Sequence, residues 1–202
     1  MGFSAKLTLR VIAGICSTAL AVPAIAQSTA YAVCQGSPNQ LQLSIPVTAS
    51  VGGRCGFKAG AEPSGSYNQP NFDVNGLSRD FPFELECTGP SRVGVVSTNG
   101  GLKTAGTVPT GYATLAPYAV QLNLVGSTAT ATATCPAAQL VSGQACSFLG
   151  PATTTAGLQL GVASLGQSGS FLRVSAPAYA GSSVLVDGNY SDVLTVTASA
   201  SL

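Results

Sequence analysis

The chain has 202 residues, with eight Lys and Arg, seven Asp and Glu, and neither His nor Trp. Without His it lacks the commonest general base and the commonest nitrogen ligand for metals, and without a basic excess it lacks the charge pattern of proteins that bind nucleic acid or anionic membranes. We therefore expect no enzyme, no metal or other cofactor, and no nucleic-acid partner. So little charge on a chain with 24 Gly and 46% hydrophobic residues favours a surface that another protein covers.

Residues 1–26 have the features of a signal peptide. Lys6 and Arg10 give a positive n-region, an apolar run follows, and the sequence AIA ends the segment as a small-residue cleavage site. Pro23 interrupts the apolar run before it reaches the roughly 20 residues that a spanning helix needs, so a membrane anchor is disfavoured. We expect export, cleavage, no membrane insertion afterwards, and a flexible mature N-terminus over 27–39.

The next residues predict a strand that can leave its own domain. In the segment 40–49, QLQLSIPVTA places apolar and polar residues in strict alternation, and its polar face carries no charge. Loose, polar or Gly-rich sequence flanks it on both sides. The strand either pairs within its own chain and completes a secreted domain, or it inserts into another molecule. Its apolar face consists of Leu41, Leu43, Ile45, Val47 and Ala49.

The rest of the chain predicts an all-β sandwich. Apolar residues recur at spacing two in short runs, and stretches rich in Gly, Pro, Ser and Asn separate those runs. No run has a convincing helical period, and no repeat of fixed length is present. The Thr and Ala run before Cys135 is weakly apolar and suits an edge strand. The predicted strands are 41–49, 81–87, 92–98, 118–126, 128–135, 171–178 and the terminal run from 193.

Five cysteines remain after the signal peptide, which suits an oxidising compartment. Cys135 and Cys146 enclose a short segment with Pro and Gly, so a disulfide there would pin a hairpin or loop. Cys55 and Cys87 lie at the ends of a segment that leaves one strand and returns on another, and a disulfide there would tie the two. Each would contribute about 2–4 kcal/mol. Cys34 is left as an exposed thiol, a member of an alternative pair, or half of an intermolecular disulfide.

A few polar residues suggest local structure rather than chemistry. Glu84 and Glu86 share one face of a predicted strand and indicate a solvated face. Asp187 and Asp192 bracket the sequence GNYS, where turn capping and a hydrogen bond to the strand are favoured over a calcium site. We expect Tyr190 to bury its ring at the start of the last strand while its hydroxyl bonds a backbone carbonyl, as in a tyrosine corner.

Several of these features occur together in one known family. The alternating N-terminal strand, Cys55 behind it, Cys87 at the end of a strand, and a closing Gly188-x-Tyr190-x-Asp192 before VLTVTAS resemble the spore coat protein U domain. Subunits of archaic (Csu-type) chaperone–usher pili carry that domain. The similarity spans roughly the chain from the donor-like strand to the C-terminus. The second cysteine pair and the first mature cysteine are not part of the family pattern.

The resemblance implies an incomplete immunoglobulin-like sandwich over 50–202 that lacks one strand. A periplasmic chaperone would fill the groove first, and after delivery to an outer-membrane usher the segment 40–49 of a neighbouring subunit would replace it. Leu194 and Val196 on the terminal strand would form one wall of the groove. At about 1.5–3 kcal/mol for each large apolar side chain, the four of the donor supply roughly 6–12 kcal/mol gross. The implied function is a structural subunit of a secreted surface fibre that supports adhesion or biofilm formation.

Three other functions fit parts of the sequence. A self-contained secreted binding module, adhesive or carbohydrate-binding, would need exposed aromatic side chains, for which only Tyr67, Tyr112 and Tyr118 are available in or near loops. A coat-layer protein is the second, because the family name covers coats as well as pili. A secreted hydrolase is the third, and no residue set supplies its chemistry.

Overall fold

The computed structural model describes Pro46, Thr48 and residues 52–201. The predicted signal peptide 1–26, the stretch 27–39 and Cys34 lie outside the described residues. The same is true of the apolar positions of the predicted donor strand, namely Leu41, Leu43, Ile45, Val47 and Ala49. Those predictions therefore stay predictions.

The described residues are almost entirely strand and loop. They contain one α-helix of a single turn, α1 (Phe72–Asn75), and one 3₁₀ helix (Ala137–Leu140). The longer strands each have seven residues, and four shorter strands lie between them. In chain order the strands are β1 (Leu77–Phe83), β2 (Ser91–Ser97), β3 (Leu102–Thr104), β4 (Leu115–Ala116), β5 (Ala119–Val125), β6 (Thr130–Pro136), β7 (Leu158–Leu160), β8 (Ser170–Ala176), β9 (Tyr190–Ser191) and β10 (Leu194–Ala200).

These strands form antiparallel sheets. The four-stranded sheet has the order β1-β8-β5-β6, and a three-stranded sheet has the order β10-β2-β7. A second three-stranded sheet, β4-β3-β9, is built from very short strands near one end. In the first sheet Leu77 lies opposite Ala176, and in the second Leu194 lies opposite Ser97. The predicted all-β fold is therefore confirmed, and the arrangement is consistent with a sandwich.

Alternation explains which side chains form the core. In β5 the apolar residues Val120, Leu122 and Leu124 are fully buried, while the residues between them are only partly covered. The central strand β2 contributes Val93 and Val95 from the second sheet. One continuous core includes side chains of both sheets, as expected when two sheets pack face to face.

Two disulfides link the described cysteines. Cys55 bonds to Cys87, and Cys135 bonds to Cys146. Both pairings agree with the prediction from the sequence. The second disulfide joins the end of β6 to the loop that follows the 3₁₀ helix, on the side of the domain where β6 contacts β7.

The strand predicted at 81–87 is displaced in the structure, where β1 spans 77–83. Beyond Phe83 the chain leaves the sheet and pairs instead with residues 54–58, through an antiparallel bridge between Phe57 and Leu85. Pro82 is tolerated within β1 because β1 is an edge strand. The four short strands and the two helical turns were not predicted, because segments of two to four residues are too short to show a period.

Candidate strand-binding cleft

An apolar cleft opens between the two larger sheets along the side where β1 and β10 lie. Its volume is about 400 Å³. The first sheet contributes side chains from β1 and β8, and the second contributes side chains from β10. Most of these side chains are half-buried, so they line the cleft without being sealed in the core. The apolar lining consists of Leu77, Phe81, Leu172, Val174, Leu194 and Val196, with Leu102, Phe72 and Val193 nearer one end.

Both strands that border the cleft are sheet edges. Among the described residues β10 pairs only with β2, and β1 pairs only with β8. Each strand therefore has one row of backbone N–H and C=O groups that the described strands leave unpaired. An edge of this kind is a template for an additional strand.

The cleft ends at a network of hydrogen bonds centred on Asp192. Its Oδ2 accepts hydrogen bonds from the hydroxyls of Ser97, at 2.6 Å, and Tyr118, at 2.7 Å. Its Oδ1 accepts from the backbone N–H of Asn99, at 3.0 Å, and of Val193, at 2.7 Å. The carboxylate thus joins β2, the start of β5 and the start of β10. The predicted hydrogen bond from this residue to the strand is confirmed.

Tyr118 lies in the connection directly before β5, and its side chain is part of the core. It is 5% exposed, and its ring belongs to the buried cluster while its hydroxyl reaches the carboxylate. Burial, together with the hydrogen bond to Asp192, holds the pKa of Tyr118 well above its ordinary value. Its position beside a loop agrees with the prediction, but its side chain is buried because it continues the inward face formed by Val120, Leu122 and Leu124 of β5.

Tyr190 closes the same end of the cleft. Its hydroxyl donates to the backbone carbonyls of Val186, at 3.1 Å, and Ala113, at 3.3 Å, and its ring meets Phe72 edge to face at 5.7 Å. Gly188 just before it has a φ of 151°, in a region that favours glycine. The half-buried ring and the bond to an upstream carbonyl confirm the corner predicted for this tyrosine.

A loop forms the third wall of the cleft. We call residues 62–70, with the sequence EPSGSYNQP, the strap; the cleft-lining part runs from Pro63 to Gln69. Gly65 lies against Phe81, since a Cβ added to it would be 3.6 Å from the ring. The guanidinium of Arg79 lies 5.8 Å from the centre of the Tyr67 ring. The composition predicted a loop here, but nothing in it indicated that the loop lines a cleft.

Of the other polar residues singled out in the sequence, Glu84 takes part in an ion pair. Glu84 accepts a hydrogen bond at 2.6 Å from the ammonium of Lys58, which raises the pKa of that lysine. Asp187 and Glu86 are exposed. In the described part of the chain, no cluster of three or more acidic or cysteine side chains is arranged to hold a metal ion.

The remaining aromatic candidates for sugar binding lie in two different loops. Tyr67 lies in the strap at 40% exposure, and Tyr112 lies at 47% exposure in the loop before β4. Because Tyr118 is buried, two of the three tyrosine side chains are exposed. Within the described residues there is also no helix long and apolar enough to cross a membrane.

Comparison of the chain with protein-family models, with curated proteins and with solved structures finds no match. The similarity to the spore coat protein U domain therefore rests on the motifs quoted above. Of those motifs, the structure brings Tyr190 and Asp192 to one end of the cleft, and it places Leu194 and Val196 on one of its walls. The Cys55–Cys87 disulfide lies at the opposite end, where β2 begins.

Proposed function

We propose that this protein is a structural subunit of a secreted surface fibre, and that subunits are joined by donation of the strand 40–49 into the cleft of a neighbour. The observation that carries the proposal is the apolar cleft bordered by two sheet edges, β1 and β10. A strand that enters such a cleft gains backbone hydrogen bonds from an edge and buries alternate side chains, which is the mode of strand addition.

The predicted donor matches this cleft in chemistry. Its inward face is entirely apolar, like the lining contributed by β1, β8 and β10. Its outward residues, Gln42, Ser44, Pro46 and Thr48, are uncharged, and the described Pro46 and Thr48 are exposed. Asp192 is the one acidic or basic residue in the lining, and its carboxylate is already bonded to four donors of its own chain. A charged side chain on the inward face of an entering strand would have no group of opposite charge to pair with in the cleft.

The path of the chain favours exchange between molecules over insertion into the same molecule. Arg54 bonds to Thr88 at the end of the domain where Ala200 and Ser91 lie. A preceding segment that turned back from this point into its own cleft would run parallel to β10. All paired strands of the described domain are antiparallel, and parallel pairing is slightly less stable per residue. A donor from another molecule is free to enter antiparallel.

The magnitudes are compatible with a fibre. The roughly 6–12 kcal/mol gross from four large apolar side chains is similar to the cost of association, about 4–15 kcal/mol. Hydrogen bonds along the unpaired edge of β10 must therefore supply the net affinity. Because each donor fills a different molecule, the contact is head-to-tail and yields an open filament. A periplasmic chaperone that covers the cleft before assembly, and an outer-membrane usher, are the partners that this mechanism needs.

The test uses two complementary variants of the exported chain. The donor variant carries Ile45→Asp and Val47→Asp, and the cleft variant carries Val196→Asp on the inward face of β10. Each alone should be monomeric by size-exclusion chromatography with light scattering. A one-to-one mixture should give heterodimers and nothing larger, because only one intact donor and one intact cleft remain in each pair.

Matched controls place the same charge on the outward faces. Ser44→Asp with Thr48→Asp in the donor, and Thr195→Asp on the exposed face of β10, should leave assembly unchanged. The unaltered protein should give a ladder on an unboiled denaturing gel that collapses on heating. A monomer in every sample, with the unaltered protein included, would contradict the proposal and favour a segment that folds onto its own domain.

A further inference from the structure

The strap runs along the mouth of the cleft from one end to the other. At its N-terminal end the strap follows residues 54–58. These residues pair with 84–88, and an ion pair between Lys58 and Glu84 joins the two segments. On the other side it leads into α1, where Phe72 packs against Tyr190. The strap therefore crosses the region between the edges β1 and β10, antiparallel to β1.

The strap is attached only weakly between these two ends. Among the described residues, none of its backbone groups makes a hydrogen bond to another backbone group, although both neighbouring sheet edges offer such groups. Its hydrogen bonds are local: the Tyr67 hydroxyl bonds to Gln69, the Gln69 amide donates to the Pro70 carbonyl, and the Glu62 carboxylate accepts from the backbone N–H of Gly60. Toward β1 it has the apolar contact of Gly65 with the ring of Phe81 and the stacking of Arg79 on Tyr67. It lines the cleft where an added strand would lie, but it does not pair as a strand.

We propose that the strap is a displaceable cover of the cleft, which moves outward when a donor strand enters. The inference rests on the proposed function, since the strand that displaces the strap is the segment 40–49 of another subunit. The physical reason is competition for space, because strap residues line the apolar wall around Phe81 that the side chains of an entering donor would contact. Until a donor arrives, the strap shields that wall from water, and the anchors at its two ends keep it on the domain.

The chain has no Trp, so a single Trp reports on the strap alone. In the donor variant described above, which keeps its cleft, Tyr67→Trp introduces the reporter, and the probe is a synthetic peptide with the sequence QLQLSIPVTA. Binding of the labelled peptide is followed by fluorescence anisotropy. Because Tyr67 is 40% exposed, full release can raise the accessibility of the reporter to acrylamide by up to about 2.5-fold, and its emission should shift to the red.

Tyr112→Trp in the same background is the matched control. Tyr112 is similarly exposed but does not line the cleft, so its fluorescence should not change with the peptide. Peptide binding with no change, or with reduced accessibility, at position 67 would overturn the displaceable cover while leaving the proposed function intact. No peptide binding in either variant would overturn the proposed function, and the cover with it.

The rate of strand entry gives a second readout. Arg79→Gln removes the stacking on Tyr67, and an exposed contact of this type corresponds to about a two- to five-fold change in equilibrium. The peptide should therefore associate about two- to five-fold faster with this variant. Arg173→Gln is the control, because Arg173 stacks on Phe171 at 5.0 Å on the outer face of the sheet. Equal association rates for the two variants would contradict the cover.

Discussion

Replacing Asp192 with Ala should lower the free energy of unfolding by about 3–5 kcal/mol. The side chain is half-buried at the end of the cleft and accepts four hydrogen bonds, two from hydroxyls and two from backbone N–H groups. Removal of the carboxylate leaves all four donors without their acceptor. The hydroxyls of Ser97 and Tyr118 lose most, because both residues are buried.

The size of the effect follows from the kind of bond. A hydrogen bond to a charged group contributes about 1.5–3 kcal/mol, but bonds that share one acceptor are not additive, and a half-buried site lets water replace some of them. Asp192→Asn should cost about half as much, roughly 1.5–2.5 kcal/mol, because its amide oxygen still accepts from both backbone groups and its NH₂ can donate to the hydroxyls.

Urea unfolding of the oxidised protein, followed by circular dichroism, measures these differences. Asp187→Ala is the control, since Asp187 is exposed, and it should change the unfolding free energy by less than about 0.5 kcal/mol. Two results would refute the view that this carboxylate ties the strands together. One is a loss of unfolding free energy below about 1 kcal/mol in Asp192→Ala, and the other is an equal loss in Asp192→Ala and Asp187→Ala.

Three further predictions concern pH and packing. The pKa of Tyr118 is raised in the folded state, so the folded protein keeps this proton at a pH where the unfolded chain loses it. The contribution of Tyr118 to the free energy of unfolding is therefore fully present below about pH 10 and falls by roughly 1.4 kcal/mol per pH unit above it. Free energies of unfolding from urea titrations at pH 9–11.5 should show that slope in the wild type and a smaller slope in Tyr118→Phe. Gly94→Ala should cost about 1–3 kcal/mol in the same assay, because the new Cβ would lie 2.8 Å from the Cα of Gly150; an unchanged midpoint would show that the backbone yields there. The hydrogen bond from Arg173 lowers the pKa of Asp80, so the stability from this exposed pair is present above about pH 4 and is lost on acidification. Asp80→Asn should lower the free energy of unfolding by less than about 1 kcal/mol at pH 7. In 1 M salt the difference between this variant and the wild type should disappear.

The sequence predicted those parts of the fold in which a pattern extends over enough residues. The alternation in AVQLNLV predicted β5 and its buried face, and the weak apolarity of TATATATC predicted an edge strand, which β6 is. The cysteine spacing predicted both disulfides. For the strands and for Cys135–Cys146 the signal is local, since a strand needs only its own period and a hairpin disulfide needs only a short loop. Cys55 and Cys87 are 32 residues apart, and their pairing was predicted from their positions at the ends of a segment that joins two strands.

The cleft could be predicted only in part. The terminal strand was expected to be one wall, but the opposite wall depends on which strand lies at the sheet edge, and that is set by long-range pairing of β1 with β8. For the same reason FPFELEC was assigned to one strand, although Leu85 pairs with Phe57 outside the sheet. The strap shows the limit most clearly, because a Ser- and Gly-rich loop has the same composition whether it covers a cleft or extends into solvent.

If the protein forms the proposed fibre, the Cys55–Cys87 disulfide has a mechanical consequence under tension. Force applied through the segment before Cys55 passes across the disulfide to Cys87, which lies just ahead of β2, and β2 is hydrogen-bonded along its whole length to β10. The load therefore bypasses residues 56–86, which include the strap, α1 and β1. Pulling on one subunit would thus leave its own strap free of load. The tension would act as a shear force on the donated strand beside β10.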